Sequence, residues 1–382
     1  MKLLFDASEL TPSSAKSIGI YRYAVGLATA MSTQLGSGES MLIVCNGDNE
    51  ADFAPLGGQA QVHVLKVQAR MPGHVWRQWW NRLGCALFVR SQGLDTYFSP
   101  KGFIPRGLAW PRGVRRTCVV HDLIPYWYYK QHPTYFGLLE RVLVREAFRC
   151  VRLQADIMVA ISHETRTHLV NWGVPPERLH VVHNGMDQID DTTLQAQLPQ
   201  VNGPFIFAMA SPLPHKNLQG ILEGYRAYRA LAGDAARPLL MCGVSGIVQE
   251  GVVALGRVSD AALRGLYQES SVFVFLSFIE GFGYPPLEAL RFGTRVLCSN
   301  LPVFQEICGD RVTYVPPDQP QQVGQQMLTL MSQPWPEAQR AALKAQARAL
   351  IAREFDWGMC AQGVLAAVRR GAAPAKASKG AS

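Results

Sequence analysis

The chain predicts an α/β protein built as two Rossmann-like, parallel-sheet domains facing a central cleft. Three observations carry that expectation. Short apolar runs alternate with longer helical patterns across residues 1–190, and the alternation restarts across 204–356; repeated strand–helix units pack helices onto parallel sheets. A polar, strand-poor stretch separates the two series, and its residues 191–203, ending in Asn202-Gly203, read as a linker before Pro204. The 382 residues, 48% of them hydrophobic, suffice for two cores.

In the first series, Leu3–Ala7 is an apolar strand, and Ile18–Met31 a helix after a polar loop. Met41–Cys45 and Val62–Val67 follow as strands, and Val75–Val89 as a helical stretch. Thr117–Val120 is a strand ending at His121-Asp122; Tyr135–Arg152 is helical. Ile157–Ile161 is a strand, Ser162 caps the next helix, and Leu179–His183 runs into an Asn184-Gly185 turn. The second series reads Phe205–Ala210 strand, Asn217–Ala232 helix, then strands at Leu239–Cys242 and Val252–Leu255. Asp260–Gln268 is a helix capped by Ser259; Val272–Leu276, Arg295–Ser299 and Thr313–Val315 are strands, with a short helix at Pro302–Cys308. The Ala-, Gly-, Ser- and Lys-rich residues 371–382 read as a disordered tail.

Composition narrows the function. No apolar run is long enough to span a membrane, and Asp6 interrupts the N-terminus too early for a signal peptide. The eight cysteines are scattered without a C-x-x-C and several lie in apolar strands, so they read as reduced core thiols of a cytoplasmic protein. The net charge of +8 is uneven: residues 70–116 hold nine Lys/Arg, including Arg70, Arg77, Arg82 and Arg90, against one acid, Asp95. Such a stretch attracts anionic surfaces.

The most informative segment is Ser277 to Leu290. Glu280 and Glu288 stand eight positions apart across Gly281-Phe282-Gly283, between an apolar strand and a helix opened by Pro285-Pro286. Exposed backbone N–H groups there suit a phosphate. The string E-G-F-G-x-P-x-L-E-A resembles the Glu-x7-Glu signature of the GT4 family of retaining glycosyltransferases, which have the GT-B fold. The resemblance implies that Glu288 binds the ribose of a nucleoside diphosphate sugar. It implies that Glu280 and the amides of Phe282, Gly283 and Tyr284 hold the donor sugar and phosphates.

Further segments match that pattern. Ser17-Ile18-Gly19-Ile20 resembles the family's N-terminal glycine turn, where Gly19 would admit the donor diphosphate. His121, at a strand's end, would contact the donor sugar or polarise the reacting centre. Asn184-Gly185-Met186-Asp187 resembles a structural turn of the family. Ser211-Pro212-Leu213-Pro214-His215-Lys216 resembles its phosphate-binding segment, with Lys216 as the cation. Relatives often carry an Arg there; this chain has His215 and Ser211, so phosphate binding rests on Lys216 or on neutral contacts from Ser211. Phe355-Asp356-Trp357 resembles the segment before a last helix, near 357–370, that returns to the first domain.

The resemblance implies retaining, same-face transfer in which a donor phosphate oxygen takes the acceptor proton. Neither a D-x-D nor a His/Cys cluster argues for a metal, and no cofactor is expected beyond the substrate. The expected partners are a nucleotide sugar, with GDP-mannose the first guess, and a saccharide or polyprenyl-diphosphate-linked acceptor in lipopolysaccharide O-antigen or exopolysaccharide synthesis. Trp76, Trp79, Trp80, Leu83 and Leu87 share one helical face beside Arg77. That face suits either an anionic membrane surface at the inner leaflet or burial against the first sheet. Rival readings are a soluble transferase of small sugars, a sugar-nucleotide epimerase, and a basic RNA-binding protein; no base-reading module is evident, so no nucleic acid is expected.

Overall fold

The computed structural model describes residues 1–12, 18–67, 73–106, 110–187 and 203–370. Residues 191–202 of the expected linker, the tail 371–382, Ser17 and Arg70 lie outside that description. The chain divides into two compact units, Met1–Asp187 with Glu354–Ser382, and Gln188–Arg353.

The first unit contains β1 (Lys2–Asp6), α1 (Ile18–Ser32), β2 (Ser40–Cys45), α2 (Glu50–Phe53), β3 (Val62–Lys66), α3 (Gly73–Trp79), α4 (Cys85–Ser91), β4 (Thr96–Ser99), β5 (Arg115–Val120), α5 (Ile124–Gln131), α6 (Leu138–Gln154), β6 (Ile157–Ala160), α7 (His163–Asn171) and β7 (Leu179–Val181). Its seven strands are ordered β3-β2-β1-β4-β5-β6-β7, and every pairing is parallel. Parallel strands with helices on both faces are buried on both sides and so read as unbroken apolar runs. β4 was not expected from the sequence, yet all its residues are buried between β1 and β5.

The second unit contains β8 (Ile206–Met209), α8 (Leu218–Ala232), β9 (Leu239–Cys242), β10 (Val252–Gly256), α9 (Asp260–Glu269), β11 (Val272–Phe275), α10 (Tyr284–Leu290), β12 (Arg295–Ser299), α11 (Pro302–Cys308), β13 (Thr313–Val315), α12 (Pro320–Ser332) and α13 (Glu337–Glu354). Its six strands run β10-β9-β8-β11-β12-β13, again all parallel. In both sheets the strand order reverses beside the first strand, at β1/β4 and at β8/β11. That reversal opens a crevice at the strands' carboxyl ends, where α/β sheets bind ligands.

The last helix, α14 (Trp357–Arg370), belongs to the first unit. The Trp357 ring lies against Gly26 of α1 and against Gly185, where any Cβ would collide with it. Its Nε1 donates to Asp187 Oδ1 at 2.7 Å, and the Met186 amide donates to the Phe355 carbonyl at 2.7 Å. All eight cysteines are buried free thiols.

The expected single Trp-bearing face is corrected. Between α3 and α4 the helix widens to a π-turn over Trp80–Gly84, which shifts the register by about one residue per turn. Trp76 and Trp80 turn inward and stack, 5.3 Å between ring centroids, and the Trp80 indole N–H donates to the buried Asp6 carboxylate at 3.0 Å. Trp79 stays 41% exposed, in a stripe with Val75, Leu83 and Leu87, packed over Gly84. Only the Trp79 half of the expected face, with the exposed Arg77 beside it, is open to a surface.

Candidate functional site

The sequence signature lies at the β8/β11 reversal. After β8 the chain makes a tight turn over Pro214–Lys216. Asn217 follows at φ 50°, the one non-glycine positive φ among the described residues. Its side chain makes that conformation tenable. The Oδ1 accepts from the Gly220 amide at 3.1 Å, capping α8, and the Nδ2 donates to the Pro317 carbonyl at 2.7 Å. The preceding Lys216 is thereby fixed in place.

After β11 the loop runs from Leu276 to Gly283 and is stitched to that turn by the Phe278 amide, which donates to the His215 carbonyl at 2.8 Å. Lys216 Nζ donates to Glu280 Oε1 at 2.6 Å, and the same ammonium sits 5.1 Å from the centre of the Phe275 ring. The pair is partly accessible, with 24% of the lysine side chain and 12% of the glutamate side chain exposed. His215 is buried, and burial with the neighbouring Lys216 charge pushes its pKa down to about 4. Without a ligand it is an uncharged ring at neutral pH.

Gly283 has φ 118°, and a Cβ there would meet Phe304 at 2.7 Å and Ile307 at 2.8 Å. Only glycine turns the loop into α10 against α11. Phe282 is buried with its ring 5.1 Å from that of Tyr284, so any ligand contact from Phe282 falls to its backbone. Glu288, on α10, accepts from the Tyr267 hydroxyl at 3.1 Å through Oε2. Burial and the Glu288 charge raise the Tyr267 phenol well above its ordinary pKa, so it stays a donor. One oxygen of Glu288 is held and the other has no partner among the described residues. Ser211 is half-buried, its hydroxyl accepting from the Leu213 amide at 3.4 Å.

Of the expected residues in the first unit, His121 follows β5 and is buried. Its Nε2 is 2.7 Å from the Pro100 carbonyl, which as an acceptor requires the proton on Nε2. Tyr23 packs edge-on at 4.8 Å. Burial pushes the ring's pKa down to about 4, leaving a neutral imidazole whose Nδ1 can accept but not donate. Gly19 is exposed in the first turn of α1, and a Cβ there would meet open space. Nothing local requires glycine at that position.

At the first unit's own reversal, a second cluster escaped the sequence reading. Glu9, beyond β1, accepts from Lys101, beyond β4, and from Asn81 at 2.7 Å. Arg77 Nε lies 3.8 Å from it. Beneath it the buried Asp6 accepts from Ser8, Trp80 and Tyr97. Tyr267 and Phe275, which position Glu288 and Lys216, were also missed. Phe275 stands in the apolar strand that leads into the signature but carried no role in the sequence reading, whereas Tyr267, on α9, is brought to the signature by the fold.

Comparison with known proteins agrees with this architecture. Residues 19–188 match "Glycosyltransferase Family 4", and residues 191–350 match "Glycosyl transferases group 1". The O-antigen chain mannosyltransferase RfbU of Salmonella typhimurium is 26% identical over 53% of this chain and 57% of its own length. The O-antigen chain mannosyltransferase B of Escherichia coli is 32% identical over 38% of this chain and 41% of its own length. The chain thus spans about half the length of the curated relatives it matches. Anabaena Alr3699/HepE, solved in complex with UDP and glucose, superposes with a TM-score of 0.63 at 17% identity, covering 97% of this chain and 100% of that one. With one half of the chain matched to each family description and two parallel Rossmann-like sheets in the GT-B pattern, the chain belongs to the Family 4, group 1 glycosyltransferases.

Proposed function

We propose that the protein is a retaining, metal-independent hexosyltransferase. It moves mannose from GDP-mannose to a lipid-linked or growing saccharide in lipopolysaccharide O-antigen or exopolysaccharide synthesis. The observation that carries this reading is the Lys216–Glu280 pair at the β8/β11 reversal, beside a Glu288 oriented by Tyr267. The names of the O-antigen relatives support mannose and the pathway class; the UDP-bound neighbour supports a nucleoside diphosphate sugar as donor.

In this mechanism Glu288 accepts from the ribose hydroxyls. Lys216 exchanges its carboxylate partner for the donor diphosphate and stabilises the charge that grows there as the glycosidic bond breaks. Glu280, released from the lysine, holds a sugar hydroxyl and orients the donor. The amides of Phe282, Gly283 and Tyr284 and the hydroxyl of Ser211 add neutral contacts to the phosphates, and Gly19 leaves room for them. His121, neutral at physiological pH, accepts from a sugar hydroxyl through Nδ1. The acceptor hydroxyl attacks on the face the leaving group vacates, and its proton passes to a phosphate oxygen, so configuration is retained. The protein works in the cytoplasm, peripherally on the inner face of the membrane, which accords with the basic, partly apolar exposed surface of its first unit.

Saturation binding and slow hydrolysis across UDP-, GDP-, ADP- and dTDP-sugars test the reading, with Lys216→Ala and Glu288→Ala alongside. One donor bound and cleaved by the parent, with loss in both variants and no effect of a chelator, is the expected outcome. Parent-like variants would remove the site assignment, and an inverted anomer in the product would remove retention.

A further inference from the structure

Helix α6 is an amphipathic helix whose apolar side faces water. Of its 17 residues only Cys150 and Val151 are buried. Its opening turns carry Leu138, Leu139, Val142 and Leu143 at 82%, 74%, 58% and 40% exposure, and Leu153 adds a fifth exposed aliphatic at 55%. At about 100° per residue these five fall within one arc of about 140°. Arg141 and Arg145 line one border of that arc; Arg149 lies just inside it, 4.0 Å from Glu146, which also falls within the arc, and Arg152 is turned to the Trp172 carbonyl and ring. The neighbouring α5 extends the same chemistry: the Arg141 guanidinium lies 5.1 Å over the exposed Tyr129 ring, and Lys130 lies 4.9 Å over Tyr126. Residues 124–153 hold five Lys/Arg against two acids, Glu140 and Glu146.

A soluble surface seldom leaves four aliphatic side chains contiguous on two helical turns. We propose that α6 docks this protein on an anionic bilayer, lying in the interfacial plane with its leucine arc among the acyl chains and its arginine border on the lipid phosphates. Charge selects this occupant. A second copy docking by the same face would bring an identical arginine border with it, whereas a phosphate layer complements that border. Arginine stems also lie along apolar surface while the guanidinium reaches a polar layer. No helix among the described residues is long and apolar enough to cross a membrane, so attachment is in the plane. This inference rests on the peripheral-membrane part of the proposed function and is independent of the transfer chemistry.

The test is co-sedimentation of the full chain with vesicles of phosphatidylglycerol and phosphatidylethanolamine, and with phosphatidylcholine alone. The variants are Leu138→Ser/Val142→Ser, Arg141→Gln/Arg145→Gln and Trp79→Ser. Melting curves verify that each folds, and GDP-mannose hydrolysis without vesicles verifies that the donor chemistry is intact. The parent is expected to pellet with the anionic vesicles and to be released by salt. The leucine–valine variant should lose roughly tenfold or more in partitioning, and the arginine variant about fivefold per residue together with much of the salt dependence. Trp79→Ser should change less. Failure of the parent to pellet overturns the proposal, as does parent-like pelleting of both α6 variants. A larger loss in Trp79→Ser also overturns it and moves docking to α3. Loss of a dimer in sedimentation velocity with unchanged vesicle binding overturns it in favour of an interface between copies. Absent hydrolysis with intact vesicle binding sinks the transferase reading alone.

Discussion

Each sheet carries a lysine and a glutamate at the point where its strand order reverses, with the two strands' contributions exchanged. In the first unit the acid, Glu9, follows β1 and the base, Lys101, follows β4. In the second the base, Lys216, follows β8 and the acid, Glu280, follows β11. The pairs differ in what surrounds them. Glu9 also accepts from Asn81 and lies near Arg77, above an Asp6 whose oxygens are taken by Ser8, Trp80 and Tyr97. That network is filled, and filled polar networks rigidify a fold. Lys216 meets one carboxylate and the face of Phe275, a sparser set of partners that fits the proposed exchange of that carboxylate for a phosphate. The presence of an ion pair therefore says little about a site; how many other partners the pair has says more.

Substitution at each pair should separate the two. Lys216→Ala should lower kcat/KM for the donor by roughly 10²–10³, the range for removing one preorganised charge-stabilising group. If initial rates with the preferred donor fall equally for Lys101→Ala, the two reversals do not differ in kind.

Each unit holds a buried neutral imidazole at a strand's carboxyl end, His121 after β5 in the first, bonded to Pro100 beyond β4, and His215 after β8 in the second, each with its pKa pushed down to about 4. The unfolded chain takes up these protons first, near pH 6.5. Stability is therefore full above about pH 6.5 and lost as pH falls through about 4; for His121 this is on the order of 3 kcal/mol. Urea melts between pH 4 and 8 should show that slope, and His121→Gln should flatten it. A slope unchanged in His121→Gln would mean the imidazole is not the group responsible.

Tyr267→Phe should raise the donor KM about tenfold with kcat nearly unchanged, because the hydroxyl acts by orienting Glu288. A fall in kcat instead would assign Tyr267 to the transition state. Smallest of all, Lys101→Ala should cost about 1–2 kcal/mol of stability, a partly buried pair discounted for solvent, read as a shift in urea midpoint at constant slope.

The order of strands and helices was legible because parallel strands are apolar runs closed by turn residues, and because caps are local. Ser162 and Ser259 accept from the Thr165 and Ala262 amides as expected. β4 was not legible: its residues Thr96–Ser99 form too short a run to show a period, and they are strand only because β1 and β5 flank them. α5 was left unassigned, because four consecutive aromatics, Tyr126 to Tyr129, after Pro125 show no helical period. The Trp face was misjudged at one point, the π-turn, since a straight helix was assumed across residues 75–89. At the signature the residue types and spacing were legible in the chain, whereas Tyr267 reaches Glu288, and Phe275 reaches Lys216, only through packing between elements.

Because α14 completes the first unit, the order of synthesis differs from the order of completion. The first sheet has all its strands once residue 181 has left the ribosome. The space between Gly26 and Gly185 then waits for Trp357, whose partner Asp187 is 170 residues earlier. The entire second unit emerges in that interval and can fold as a unit of its own. A chain ending before Trp357 would therefore carry a complete second unit and a first unit lacking its last helix, a species that chaperones and proteases could tell from the mature protein.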